Sequence, residues 1–238
     1  MKFEWMVAQR YLRSPNKPAV LRLVTLLSVA GVVAGVSTLV VALAMNAGFQ
    51  ETLQERLLGV TAHVSLERPG SEGIREASEL ARRLASTPGV RSAAPAIYQT
   101  VLLSVGGRAQ GLLVKGVNPE LERASNEALR RVVSGAADFA PDGDGIEAIL
   151  LGRLLAKEMK LRPGDYITLT SPQGRMTPFG MMPRTRRFRV AGIFDSGFYD
   201  YDANWGFVTL AAAQGLAGVG DVVSLIEFRI ERVDQAAE

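Results

Sequence analysis

From Leu23 to Met45 the chain reads LVTLLSVAGVVAGVSTLVVALAM, without one charged residue. Coiled as a helix at ~1.5 Å per residue, this run spans roughly 35 Å, enough to cross a bilayer core of about 30 Å. It is longer than the apolar region of a typical signal peptide. A retained transmembrane helix is expected, and everything that follows it must then lie on one side of a membrane.

The flanking charges assign that side. Lys2, Arg10, Arg13, Lys17 and Arg22 precede the run, opposed only by Glu4, whereas Glu51 and Glu55 against Arg56 follow it. Basic residues beside a span favour the cytoplasm. The expectation is a membrane protein with a cytoplasmic N-terminus and its main domain outside. With no cysteine in the chain, that domain folds without disulfides, and about 190 residues suffice to bury a core. The net charge of +3 is modest, and nucleic acid is not an expected partner.

Three regions are expected. Residues 1–19 form a cytoplasmic interfacial segment: KFEWMVAQRYLR carries Phe3, Val7, Tyr11 and Trp5, Ala8, Leu12 at helical spacing with arginines between, as in a helix lying at headgroup level. A frayed terminus is the alternative, and Ser14-Pro15-Asn16-Lys17-Pro18 breaks it. Residues 20–58 form the transmembrane helix and a stalk, with Phe49, Leu53, Leu57 and Leu58 on one stripe. Gly31 and Gly35 have the small-xxx-small spacing of packed membrane helices, although plain backbone flexibility explains them equally well. Residues 59–238 read as an α+β domain. Its expected parts are a strand over 61–67, an amphipathic helix over 71–87, and a hairpin with Gly106-Gly107 at its turn. A polar helix from Asn118-Pro119 to about Arg131 follows, then a strand over 146–151 and a helix over 151–161. Strands are expected over 165–171, 185–194 and 205–209, a helix over 210–217, and a last strand over 222–232.

Catalytic chemistry is hard to find. His63 sits in an alternating strand and reads as a surface or packed residue, a ligand being the lesser alternative. Ser104, Ser171 and Ser196 have no neighbouring base and no G-x-S-x-G setting. Asp142-Gly143-Asp144-Gly145 reads as a turn, lacking the spaced ligands of a calcium loop. Asp195, Asp200 and Asp202 with Phe198, Tyr199 and Tyr201 read as a solvated acidic-aromatic loop, a cation site being the lesser alternative. No P-loop occurs. The expectation is a non-catalytic chain with no cofactor and no metal.

Three stretches resemble the transmembrane subunits of lipoprotein-releasing ABC transporters, of the LolC/LolE type within the mechanotransmission family. They are FEWMVAQRYLRSPNK with the span and AMNAGFQETLQERLLGVTAHV; LLVKGVNPE with ILLGRLLAKEMKLRPGDYITLTSP; and MTPFGMMPRTRRFRVAGIF. The resemblance implies an N-terminal portion of a four-span permease that would continue beyond this sequence. Its implied partners are a cytoplasmic ATPase that carries the ATP chemistry, a second permease subunit, a lipoprotein substrate, membrane lipid and a periplasmic lipoprotein chaperone. Met45 and Phe49, at the outer end of the span, are expected to face lipid or lipoprotein. Ala47 interrupts the family's M-N-G-F at that point.

The third stretch resembles the LolC-type hook that captures the chaperone. The expected hook covers 172–184 with its flank: Pro172, Arg175, Met176, Thr177, Pro178, Phe179, Gly180, Met181, Met182, Pro183, Arg184, Arg186 and Arg187. Its prolines and glycine are expected to forbid regular helix or strand. Its methionines and phenylalanine offer a soft apolar tip, and its arginines offer cations for an acidic rim. The alternative is a long hairpin loop packed on its own domain. At the level of function, the alternatives are another mechanotransmission permease, for efflux or cell-division control, or a single-pass tethered binding or sensor domain.

Overall fold

A computed structural model describes residues 2–12, 19–60, 62–70, 73–123, 126–177 and 180–230. The chain divides into two units, Met1–Gln54 and Glu55–Glu238. The first holds α1 (Lys2–Leu12) and most of α2 (Ala19–Val60). The proposed break over 14–18 lies outside the described residues. Leu23–Gly48 of α2 is long and apolar enough to cross a membrane. The helix continues without interruption through the expected stalk.

The second unit is an α/β mixture built on one nine-stranded sheet. It opens with β1 (Val64–Glu67), β2 (Ile74–Arg75) and α3 (Ala77–Leu84). The hairpin of β3 (Val90–Val105) and β4 (Arg108–Val117) follows, its turn glycines at φ +53° and +79°. Two consecutive left-handed residues match a two-residue turn to the strand twist, so Gly-Gly is the favoured pair there. Next come α4 (Pro119–Glu122), α5 (Glu127–Arg130), β5 (Val132–Gly135), β6 (Glu147–Gly152) and α6 (Arg153–Met159). The remainder is β7 (Tyr166–Thr177), β8 (Gly180–Phe194), α7 (Tyr199–Asn204), β9 (Trp205–Thr209), α8 (Leu210–Ala217), β10 (Val222–Val223) and β11 (Leu225–Ile230).

Six of these strands close on themselves. β3 pairs with β4, β4 with β9, β9 with β6, β6 with β8, β8 with β7, and β7 returns to β3. The β4–β9 and β6–β8 pairs are parallel and the other four antiparallel. Closure leaves this ring without a free edge along the joined segments. Alternate residues of the strands, among them Leu103, Leu112, Val114, Leu151, Leu169 and Phe188, bury into one cluster with Leu155 of α6 and Leu216 of α8. Full burial of each such side chain contributes about 1.5–3 kcal/mol. A second cluster lies on the opposite strand faces, where the Phe194 and Phe207 rings meet edge to face at 5.2 Å. Outside the ring, β11 joins the first half of β3 and β1 pairs with β11.

The structure corrects several expectations. The helix expected from 71 begins only at Ala77, because Ile74–Arg75 pairs with Val222–Val223 as a two-stranded ribbon. The polar helix after Asn118 is two single turns, α4 and α5. The acidic-aromatic loop contains a helix, α7, whose Asp202 is buried and accepts from Ser196 N and Oγ, both at 2.8 Å. β5 was not expected at all, having only four residues and an exposed side.

Candidate functional site

β7 and β8 form a long antiparallel pair of the ring, and they outrun it. β3 accompanies β7 only from Thr168 to Thr170, whereas β7 continues to Thr177 and β8 begins at Gly180. Beyond Thr170 the two strands therefore form a ribbon with no third strand beside them among the described residues. At about 3.3 Å per residue, its seven further residues on β7 reach roughly 20 Å.

The expectation of irregular backbone here is wrong. Arg175, Met176 and Thr177 pair with Met182, Met181 and Gly180 in regular register. The prolines are tolerated because they sit at an irregularity. Between the pairs Ser171–Arg184 and Arg175–Met182, β7 spends three residues, Pro172, Gln173 and Gly174, against the single Pro183 of β8. A bulge interrupts the hydrogen-bond ladder, so the missing proline N–H groups cost little there. Gly180 adopts φ +110°, a value that side-chain-bearing residues rarely take. Pro178 and Phe179 lie outside the described residues, as do the side chains of Arg175, Met176, Thr177 and Met181. Met182 is 58% exposed, and Pro172 and Pro183 are exposed.

The arginines expected to act together are divided by the strand's alternation. Arg184 and Arg186 share the face of Phe188 and lie against α8. A Cβ built on Gly218 would overlap the Arg184 guanidinium, and one on Gly215 would stand 2.7 Å from Arg186 Cζ. Arg186 also pairs with Glu147 of β6 at 3.3 Å. Arg187 points to the other face, with its Cζ 4.4 Å from the centre of the Tyr166 ring. The Tyr166 hydroxyl donates to Asp142 Oδ2 at 2.8 Å, and that bond raises its pKa. The amide of Ile146 donates to Asp142 Oδ1, chiefly holding that carboxyl below the usual range, and the amide of Asp144 donates to the same oxygen. The expected turn at 142–145 is thus closed by its own aspartate.

Tyr166, Gly215 and Gly218 were not singled out in the sequence. The strand DYITLTS was legible, but the partner of its tyrosine depends on the register with β8. The two glycines carry no local signal of the arginines that lie against them.

The other candidates have structural employment. Ile230 N donates to His63 Nδ1 at 3.2 Å. Ser171 is buried and accepts from Gln99 Nε2. Asp195 pairs with Arg153 at 2.8 Å. Among the described residues no group of His, Cys, Asp or Glu is arranged to hold a metal. In α2, Met45 is exposed and a Cβ on Gly31 or Gly35 would meet nothing; the Phe49 side chain lies outside the described ones.

The motifs that carried the resemblance prove to be folding motifs. In LLVKGVNPE, Lys115 is buried and donates to Glu122 at 3.1 Å and Glu227 at 2.7 Å. Asn118 caps α4 by accepting from Glu120 N at 3.0 Å, with Pro119 at the first helical position. In LRPGD, Asp165 accepts from Arg162 N at 2.7 Å and Gly164 turns at φ +96°.

Several known proteins are similar to this chain. The "Lipoprotein-releasing system transmembrane protein LolC" of Xylella fastidiosa strain Temecula1 is 28% identical over 230 residues, which are 97% of this chain and 54% of that protein. LolC of Neisseria meningitidis serogroup B is 30% identical over 200 residues, 84% of this chain and 47% of that one. LolE of Haemophilus influenzae is 27% identical over 237 residues, covering 97% and 56%. The chain spans about half the length of these curated relatives. Among solved structures, the extracellular domain of the ABC-type transporter YknZ from Gram-positive bacteria aligns at TM-score 0.49 and 15% identity, covering 72% of this chain and 84% of that one. The model of the MacB-like periplasmic core domain matches residues 25–238. The chain belongs to the MacB-like periplasmic core domain family.

Proposed function

We propose that this chain is the N-terminal, hairpin-bearing part of an ABC permease subunit that releases lipoproteins from the inner membrane and hands them to a periplasmic chaperone. The observation that carries this reading is the β7–β8 ribbon. It runs past its last neighbouring strand, resumes regular pairing beyond one bulge at Pro172–Gly174, and exposes Met182. Exposed apolar groups on a stiff ribbon suit a partner-covered surface. In this reading α2 crosses the inner membrane with its N-terminus in the cytoplasm. Met45 and Phe49 face lipid or lipoprotein, and Gly31 and Gly35 let a neighbouring helix of the second permease subunit approach. ATP hydrolysis belongs to a cytoplasmic partner, and this chain contributes no catalytic group.

The test is a biosensor titration of the whole chain in nanodiscs against the periplasmic lipoprotein chaperone. Apolar anchors typically cost about 2 kcal/mol or more when truncated, and about 1.4 kcal/mol is a tenfold change. Phe179→Ala with Met181→Ala should weaken capture by one to two orders of magnitude and leave the circular dichroism unchanged. Equal binding by the folded double variant would refute the reading.

A further inference from the structure

β1 is weakly supported. It lies at the end of the strand order, and among the described residues only β11 pairs with it. All four of its residues are exposed, Val64 and Leu66 included. A strand that buries so little apolar surface is held mainly by its ladder, and such elements open at low cost. The ladder pairs Val64 with Phe228, Ser65 with Glu227, Leu66 with Ile226 and Glu67 with Leu225. The two strands are antiparallel, so the start of β1 and the end of β11 lie at the same end of the pair. The chain comes into this end from α2, which finishes at Val60, and leaves it after Ile230.

His63 closes that end. Its N–H donates to Phe228 O at 2.9 Å, which extends the ladder by one bond. Its half-buried ring reaches further along β11, with Nδ1 3.2 Å from both the N and the O of Ile230. A bare Nδ1 accepts from the N–H and a protonated one donates to the carbonyl, so either tautomer finds a partner in Ile230. The pairing of β11 with β3 is irregular at this point, where Arg229 stands opposite Ser92 but Ile230 opposite Val90. A bulge disrupts the ladder locally, and the imidazole supplies a bond to Ile230 from the other side. β11 itself is fixed from within, because Glu227 accepts from the buried Lys115 at 2.7 Å. β1 has no such anchor among the described residues, so His63 is its strongest tie to the sheet beyond the four pairs.

We propose that His63 is a clasp that holds together the two ends of this unit, and that parting those ends peels β1 from β11, starting at His63, before the ring is disturbed. The antiparallel geometry gives the order. A pull that separates the start of β1 from the end of β11 loads the bonds one at a time, beginning with those of His63. A pull along the strands would load all of them together. β1 is thus a strand that detaches and returns while Lys115 keeps β11 in place. The proposal rests on the reading above only for the source of load, α2 being anchored in a membrane; the clasp itself rests on the bonds of His63.

Two experiments on the whole chain in phosphatidylcholine nanodiscs test this, both without chaperone, so the clasp and the hairpin reading can fail separately. The first is hydrogen exchange. His63→Ala should speed exchange over 63–67 and 228–230 about tenfold, the effect of one lost hydrogen bond whose partner is left unmade, and leave β6 and β9 unchanged. His63→Asn, whose side-chain oxygen stands as many bonds from Cβ as Nδ1 does, should stay within about threefold of the parent. Unchanged exchange in His63→Ala, equal acceleration in β6 and β9, or an Asn variant as fast as the Ala variant overturns the clasp. The second is a pulling measurement with Ala62→Cys and Glu231→Cys as attachment points, the chain having no cysteine of its own. Peeling residues 62–67 from a fixed β11 lengthens the tether by roughly 40 Å, six residues at about 3.3 Å counted on both strands. The parent should show this short step before the main unfolding, and His63→Ala should show it at lower force. A single unfolding event without the short step, or a short step at the same force in both chains, overturns the proposal.

Discussion

The guanidinium of Arg184 occupies the space over the α-carbon of Gly218, where any side chain would overlap it. Arg184 stands at the base of the ribbon, paired with the buried Ser171. Gly218 caps α8 in the left-handed region at φ +73°, its N–H bonded to Gln214 O at 2.7 Å. The contact seats the hairpin on the C-terminal end of α8, where the free carbonyls favour a cation. Gly218→Val should cost about 1–3 kcal/mol from backbone strain alone, read by urea unfolding. It should also speed hydrogen exchange over 171–184 relative to β6. Unchanged exchange in the ribbon would mean that α8 does not set its base.

Two glycines of the family motifs are places where chains touch. A Cβ on Gly152 would come within 2.7 Å of backbone Asp202 Cα, and one on Gly116 within 2.6 Å of Ile97 Cγ2. Backbone yields less than a side-chain end. Gly152→Ala should therefore destabilise by about 3 kcal/mol and Gly116→Ala by about 1–2 kcal/mol, within the usual range for overpacking. Gly111→Ala, at a strand position with open space, should change the urea midpoint little or raise it.

Much of this was legible in the sequence, for identifiable reasons. The apolar run, the Gly106-Gly107 hairpin and the helix over 210–217 are local signals, and each appears where expected. Ring closure is non-local: it rests on three residue pairs between β3 and β7, which no periodicity encodes. Pro172 and Pro183 argued against strand because the bulge that excuses them is a property of the pair. For the same reason the arginines looked like one cationic cluster, until alternation sent Arg184 and Arg186 to α8 and Arg187 to Tyr166. The burial of Lys115 has no local signal, because its counter-charge, Glu227, lies 112 positions away.

That buried lysine supplies a sharp test of the core. Lys115→Met leaves Glu122 and Glu227 without their shared cation. Breaking a buried pair from one side typically costs about 3–5 kcal/mol. The double variant Lys115→Met/Glu227→Gln should recover part of this loss. A single variant as stable as the parent by chemical denaturation would show that water reaches the site.

Alkaline pH should unfold the domain through its tyrosines. Burial pushes the Tyr201 hydroxyl up to about 12, and burial with the adjacent Glu227 raises Tyr98 further. A raised folded pKa means that the unfolded chain ionises first, near pH 10. The stabilisation is complete below that pH and is lost as pH climbs through 10 to 12. Melting temperature should fall across this window, with the Tyr98 and Tyr201 ring resonances showing ionisation only together with unfolding. Ionisation of Tyr98 or Tyr201 near pH 10 in the folded protein would contradict the burial.

The most direct test of the central claim removes the ribbon and keeps the ring. Replacing residues 172–183 by Asn-Gly closes β7 on β8 at the Ser171–Arg184 pair, below the bulge, with a pair suited to a two-residue turn. The shortened chain in nanodiscs is then titrated with the periplasmic lipoprotein chaperone, with circular dichroism and melting temperature as fold controls. The account predicts an unchanged fold and a loss of chaperone binding of at least a hundredfold. Parent-like affinity in the folded, shortened chain would contradict it.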